Sequence, residues 1–272
     1  MTRPSEYVLG QSDRAAHRLA IQDEQFAQVS ERLLDELAVQ PAWRVVELGC
    51  GPGAFSKRVL RRLGPQGVLV GVDASADLLN HAKANLAASG RFQTVCADVS
   101  ELGNWLDGAD AVVGRAVLHH VPMAELVLGK LRSKLRPGTR LGFIEPDFRG
   151  PLGKIGYLEA TGHAEVHALR VWAFAINQLY LARRISPDVG ASLARTLEIA
   201  GFRNVRSEWT ACPSSATTLE NMGMFYDEVR DKLAELGILT LAETDRQKEL
   251  LAGLNPDSLP PAWGSFWVTA EV

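Results

Sequence analysis

The clearest chemical signal in this chain is Glu47-Leu48-Gly49-Cys50-Gly51-Pro52-Gly53. Val45 to Leu48 read as a strand, and three glycines within five positions then force a turn that no side chain obstructs. A helical pattern begins at once with Ala54, Phe55, Val59 and Leu60. Glycine has no Cβ and tolerates positive φ, so main-chain N–H groups in such a turn can approach a ligand closely. Glu47, two residues ahead of the first glycine, adds a carboxylate suited to an ammonium group, met directly or through water. Two further acids end strands: Asp73 in Val70-Gly71-Val72-Asp73-Ala74-Ser75, and Asp98 in Val95-Cys96-Ala97-Asp98-Val99. Asp73 can accept both hydrogen bonds of a vicinal diol, while Ser75 is the better helix cap. Asp98 can accept from an exocyclic amine, with Val99 offering a main-chain N–H. Taken alone, Asp98 reads as a solvated turn residue. In register with the other two it becomes a binding candidate, because all three strand ends open on one edge of a parallel sheet.

Two ligand classes use such a rim. Gly49-x-Gly51-x-x-Ala54 satisfies the dinucleotide fingerprint, and an acid ending the second strand is shared with nicotinamide enzymes. Two features tilt towards S-adenosylmethionine. Glu47 would repel a pyrophosphate, whereas the sulfonium nucleoside carries no phosphate and does carry an amine. Gly53 also packs the turn more tightly than dinucleotide spacing requires.

Composition narrows the field. The chain has 272 residues with 46% hydrophobic content, enough for one large domain or a core with an appendage. A net charge of −3 argues against affinity built on phosphate neutralisation, hence against a nucleic-acid partner. Cys50, Cys96 and Cys212 are odd in number and contain no CxxC pair, so a disulfide scaffold or zinc ribbon is not expected and a reducing cytoplasmic setting is. No secretory signal or membrane-spanning run is expected either. His163 and His167 stand four apart, but the HExxH arrangement is absent and no further ligand cluster accompanies them, so no metal is expected.

The elements that must hold these residues alternate. Helical spacing covers 12–38 up to Pro41. Strands are expected at 44–48, 68–72, 92–96, 110–114 and 139–145, with helices at 53–63, 75–88 and 123–135. That alternation predicts right-handed crossovers and a largely parallel sheet. Residues 157–184 are apolar nearly all round and predict a helix buried on several sides. Ser186-Pro187-Asp188 reads as a cap, a first-turn proline and a first-turn acid for a helix ending at Gly201. Strand 204–211, two helices within 217–252 and a strand from Trp263 to Val272 follow, the last two strands forming an antiparallel hairpin at a sheet edge.

A fourth motif, Arg115-Ala116-Val117-Leu118-His119-His120, follows the fourth strand on the same edge. Together with the glycine turn, Asp73, Asp98-Val99, Leu135-Arg136-Pro137-Gly138 and Ala200-Gly201-Phe202, it makes residues 40–150 and 188–202 resemble a class I S-adenosylmethionine-dependent methyltransferase of the small-molecule kind. The resemblance implies an α/β three-layer sandwich with a seven-stranded, mostly parallel sheet of Rossmann-like methyltransferase type and helical lid insertions. Residues 1–40 would form an N-terminal lid, and 41–272 the binding domain with insertions near 150–186 and 214–260. Cofactor-binding candidates are Glu47, Gly49, Cys50, Gly51, Gly53, Asp73, Ala74, Asp98 and Val99, with Arg115 acting through its main chain and Tyr7, Arg18 and Gln22 closing the pocket or lying on a solvated helix. His119 and His120 are the base candidates, since imidazole titrates near neutrality; the alternative is that they only shape the turn. The implied reaction gives S-adenosylhomocysteine and a methylated small acceptor, apolar or aromatic, in a setting such as secondary metabolism, by a monomer or homodimer. Non-methylating cyclisation or decarboxylation on the same fold, then nicotinamide-dependent oxidation, are the alternatives.

Overall fold

In a computed structural model, residues 13–160, 162, 166–183, 185–259, 261 and 263–272 are described. After helices α1 (Asp13–Gln25) and α2 (Ala27–Leu37) the chain alternates: β1 (Arg44–Leu48), α3 (Ala54–Arg62), β2 (Val68–Asp73), α4 (Ala76–Leu86), β3 (Phe92–Cys96), β4 (Ala111–Arg115), α5 (Ala124–Lys134) and β5 (Arg140–Asp147). Helices α6 (Gly150–Ala160), α7 (His167–Ala182) and α8 (Val189–Ile199) lead to β6 (Arg203–Cys212), then α9 (Ala216–Glu235), α10 (Leu241–Ala252) and β7 (Trp263–Glu271).

The seven strands found among the described residues form one sheet in the order β3-β2-β1-β4-β5-β7-β6. The first five are parallel; β7 runs antiparallel between β5 and β6. The expected antiparallel pair is therefore present, with β6 outermost. Register sets Val46 beside Val70 and Val112, and Val112 beside Leu141. These side chains pack in one apolar layer with α5 and α8. The alternate residues Val45, Leu69 and Val113 point to the opposite layer, with Leu33, Leu37 and Phe55 of α2 and α3. Residues two apart in a strand share a face, so each strand feeds both layers of the sandwich. Strand order reverses between β1 and β4, where a crevice opens beyond the strand ends.

The local predictions differ from the structure in two places. The apolar run expected as one helix over 157–184 is divided between α6 and α7. Gly162 takes φ +100° and its N–H returns to the Glu159 carbonyl, a conformation that ends a helix. Helix α8 starts two residues later than its sequence signals suggest. Asp188 is its N-cap residue but makes no side-chain cap bond; its carboxylate lies 2.8 Å from Arg149 instead.

Among the described residues no helix is long and apolar enough to cross a membrane.

Candidate active site

The glycine turn owes its shape to positive φ at Gly49 (+63°), Gly51 (+52°) and Gly53 (+88°). A Cβ on Gly49 would meet Val117 Cγ2 at 2.5 Å, so the turn after β1 lies directly against the turn after β4. Gly51 has room: its nearest neighbour to an added Cβ is Leu19 at 3.8 Å. Asp73 pins this turn, accepting the Gly51 N–H at 2.8 Å and the Ser75 N–H at 2.9 Å, while Ser75 caps α4 through Leu78. Burial pushes the Asp73 carboxyl up against the pull of those N–H donors.

Glu47 is 1% exposed, and its hydrogen bond among the described residues comes from Ser56 Oγ at 2.6 Å. Burial raises its carboxyl to about 8. Asp98 accepts from the N–H and hydroxyl of Ser100 at 2.8 and 2.7 Å, leaving its second oxygen towards no partner among the described residues.

A cavity of about 370 Å³ runs along this rim. One part of its wall comes from Glu47, Gly49, Cys50 and Gly51, with Asp73, Ala74, Asp98 and Val99 beyond them. Gln22 and Leu19 of α1 and the Arg115–Val117 stretch complete that end. Gly53 is not in the wall; its Cβ position would fall 2.9 Å from Leu86, so it serves packing between α3 and α4. Tyr7 lies outside the described residues.

The other part of the same cavity is aromatic, lined by His119, His120, Phe148, Trp172, Tyr180 and Phe225. His119 stacks against Tyr180 (ring centroids 5.7 Å apart) and meets Phe148 edge-on at 5.8 Å. The two histidine rings are 3.9 Å apart. Burial, helped by His119 and Arg18, holds His120 well below the usual imidazole range, so it stays neutral at pH 7.

Glu145, two residues before the end of β5, carries a role that local spacing conceals. Fully buried, it accepts the main-chain N–H groups of Val117 and Leu118 on Oε1 (3.0 and 2.8 Å) and of His119 on Oε2 (3.3 Å). His119 Nδ1 lies 2.7 Å from the same Oε2. A carboxylate already receiving three N–H groups is an acceptor, which makes Nδ1 the donor and leaves Nε2 as the basic nitrogen.

Arg115 turns its guanidinium away from the rim. It pairs with Asp23 of α1 at 2.5 Å and lies over the rings of Phe26 and Phe55. Asp23 also pairs with Arg58 of α3 at 2.7 Å. Helix α1 is tied to α9 by Arg18–Glu228 at 2.9 Å and by Asn221–Gln25 at 2.7 Å. His167 is on the surface against Glu159 at 2.6 Å, and His163 lies outside the described residues; no group of metal-ligating side chains occurs among the described residues.

Residues 45–138 match a family model described as a methyltransferase domain. A trans-aconitate 2-methyltransferase of Rhizobium leguminosarum bv. trifolii is 28% identical over 167 residues, covering 61% of this chain and 60% of that protein. The first curated relatives are matched over 34%, 60% and 43% of their own lengths, so the chain spans less than two thirds of each. Among solved structures, the cyclopropane synthase MmaA2 of Mycobacterium tuberculosis aligns over 90% of this chain and 84% of its own, with a TM-score of 0.59 and 15% identity. The cyclase SpnF aligns over 90% and 79%, with a TM-score of 0.56 and 16% identity. At such identities the likeness is one of fold.

Proposed function

We infer that this chain, whose residues 45–138 match a methyltransferase domain, is a class I methyltransferase that moves a methyl group from S-adenosylmethionine to a small organic acceptor. The carrying observation is the continuity of one cavity. Glu47, Asp73 and Asp98 meet the glycine turn at one end, and an aromatic chamber holding His119 lies at the other.

The residues suit the cofactor. Glu47 is a buried carboxylate without a salt-bridged cation among the described residues, which fits an ammonium group. Beside Gly51 there is space where any side chain would intrude, which fits close approach of an amino-acid moiety to the main chain. Glu47 and the Gly49–Gly53 turn, with Cys50, would hold the methionine part; Asp73 and Ala74 the ribose; Asp98 and Val99 the adenine. Gln22 and the Arg115 main chain would close that end.

When bound, S-adenosylmethionine supplies an activated methyl on a sulfonium and departs as S-adenosylhomocysteine. The chain's own task is placement. Phe148, Trp172 and Tyr180 exclude water and take the flat or apolar body of the acceptor. Such alignment contributes about 7–11 kcal/mol of barrier lowering in favourable cases. Nε2 of His119, left without a proton when Nδ1 donates to Glu145, takes the proton of an acceptor hydroxyl or amine. The reading places the enzyme in the cytosol, as a monomer or homodimer, in small-molecule metabolism.

Calorimetric titration with S-adenosylmethionine and S-adenosylhomocysteine tests the proposal. Saturable binding that Asp73→Ala weakens, in a variant retaining its circular dichroism and melting cooperativity, is the expected result. Tight NAD(P)H binding with none of S-adenosylmethionine would replace the reading with an oxidoreductase. A product lacking the added methyl mass would replace it with cyclisation or decarboxylation.

A further inference from the structure

The cavity wall carries charged residues of both signs. Its carboxylates are Glu47, Asp73 and Asp98, all where β1, β2 and β3 finish. The arginines among its lining residues are Arg18, Arg115 and Arg183. Two of these are already held by acids: Arg18 by Glu228 and Arg115 by Asp23. Arg183 differs. It is exposed at the cavity wall, and its guanidinium has no hydrogen bond or ion pair among the described residues. Its main chain is nevertheless fixed, because its N–H caps α7 on the Leu179 and Tyr180 carbonyls.

Placement gives this cation a use. Tyr180, three residues earlier, sits on the same side of α7 one helical turn back, and its ring is the one stacked on His119. A molecule whose ring or chain lies along Tyr180, with its reacting atom at His119, reaches Arg183 with its far end. No carboxylate lines the aromatic chamber to welcome a cation there among the described residues.

We propose that Arg183 seats an anionic group on the far end of the acceptor, so that the acceptor is an apolar or aromatic carboxylic acid anchored by its acid and methylated elsewhere. This rests on the methyl-transfer reading of the same cavity. A guanidinium matches a carboxylate with two parallel N–H donors, and a charge-assisted pair of that kind is stronger than one to a neutral amide. An acceptor with a cationic tail would instead meet repulsion.

The test uses the full chain saturated with S-adenosylhomocysteine and three matched probe pairs: 2-naphthoate and 2-naphthamide, cinnamate and cinnamamide, decanoate and decanamide. Calorimetry should give at least one acid that binds about tenfold more tightly than its amide, with the gap shrinking as salt rises. Arg183→Gln should erase the gap, Arg183→Glu should reverse it, and Arg183→Lys should keep part of it. Affinity for S-adenosylhomocysteine should be the same in all four proteins. Equal binding of acid and amide by the wild type, binding by none of the acids, or a gap that survives in Arg183→Gln overturns the proposal. If the wild type fails to bind S-adenosylhomocysteine, the methyl-transfer reading fails instead. The acid–amide comparison, repeated without that ligand, then still decides the role of Arg183.

Discussion

His119 Nδ1 stands 2.7 Å from Glu145 Oε2, and Glu145 also receives the main-chain N–H groups of Val117, Leu118 and His119. One acid on β5 thus orients both the imidazole and the turn that carries it. Replacing Glu145 by Gln presents an amide to Nδ1 and allows the opposite tautomer, with the proton on Nε2. We expect Glu145→Gln and His119→Ala to lower kcat by about 10²- to 10⁴-fold each, and the double variant to lose little more than either alone. Affinity for S-adenosylmethionine should change far less. Steady-state kinetics beside calorimetry checks this, and a parallel loss of both quantities would assign the pair to structure alone.

Glu47 predicts a dependence on pH. Its folded-state carboxyl is raised from 4.5 to about 8, so the native state holds a proton that the unfolded chain has released. Stability contributed by this site therefore falls as pH rises from about 4.5 to about 8, and levels off above that. Glu47→Gln should flatten that slope in urea melts collected across the interval. An ammonium brought beside Glu47 favours the ionised form, so cofactor binding at pH 7 should release a proton. Titrations in buffers of different ionisation enthalpy will detect it in the wild type and not in Glu47→Gln.

Asp23 is predicted to matter for folding. It pairs with Arg115, whose side chain is 10% exposed, and with Arg58. Burial alone would raise its carboxyl, but the two guanidinium groups hold it below the usual range. Asp23→Ala leaves Arg115 buried without its anion, at a cost of about 3 kcal/mol. Denaturant unfolding should report the loss, and a double variant with Arg115→Met should recover part of it.

Two neighbouring glycines should respond differently to alanine. At Gly49 the new Cβ would fall 2.5 Å from Val117 on a backbone with φ +63°, so Gly49→Ala should lower the melting temperature. At Gly51 the backbone is also left-handed, but nothing lies within 3.8 Å, so the cost is near the ~1 kcal/mol of placing alanine in that region. Gly51→Ala should stay folded and show its defect chiefly in cofactor affinity. Thermal melts and calorimetry on both variants separate the two effects.

Local signals carried the rim. Glu47 lies in an apolar run two residues ahead of Gly49, Asp73 ends one two residues ahead of Ser75, and Asp98 follows one two residues ahead of Ser100, so each is visible within a few positions of sequence. The Glu145–His119 pair is not, because its members lie 26 residues apart and meet only through the pairing of β4 with β5. The same holds for Arg18–Glu228, 210 residues apart, where the docking of α1 on α9 creates the contact. The break at Gly162 was hidden for a different reason. It sits in a short polar stretch, Glu159-Ala160-Thr161-Gly162-His163-Ala164-Glu165, between two apolar runs, and periodicity reports which side of a helix is buried without marking where φ changes sign.

The position of β7 bears on how the chain assembles during synthesis. β6 leaves the ribosome before α9, α10 and β7, yet its ladder partner is β7 alone. Until that later strand slots in beside β5, the 203–212 segment has bare N–H and C=O groups along both sides, and β5 has an uncovered flank. A ribosome pausing within α9 or α10 would therefore hold a nascent chain with these edges open, a state prone to pairing with the wrong neighbour.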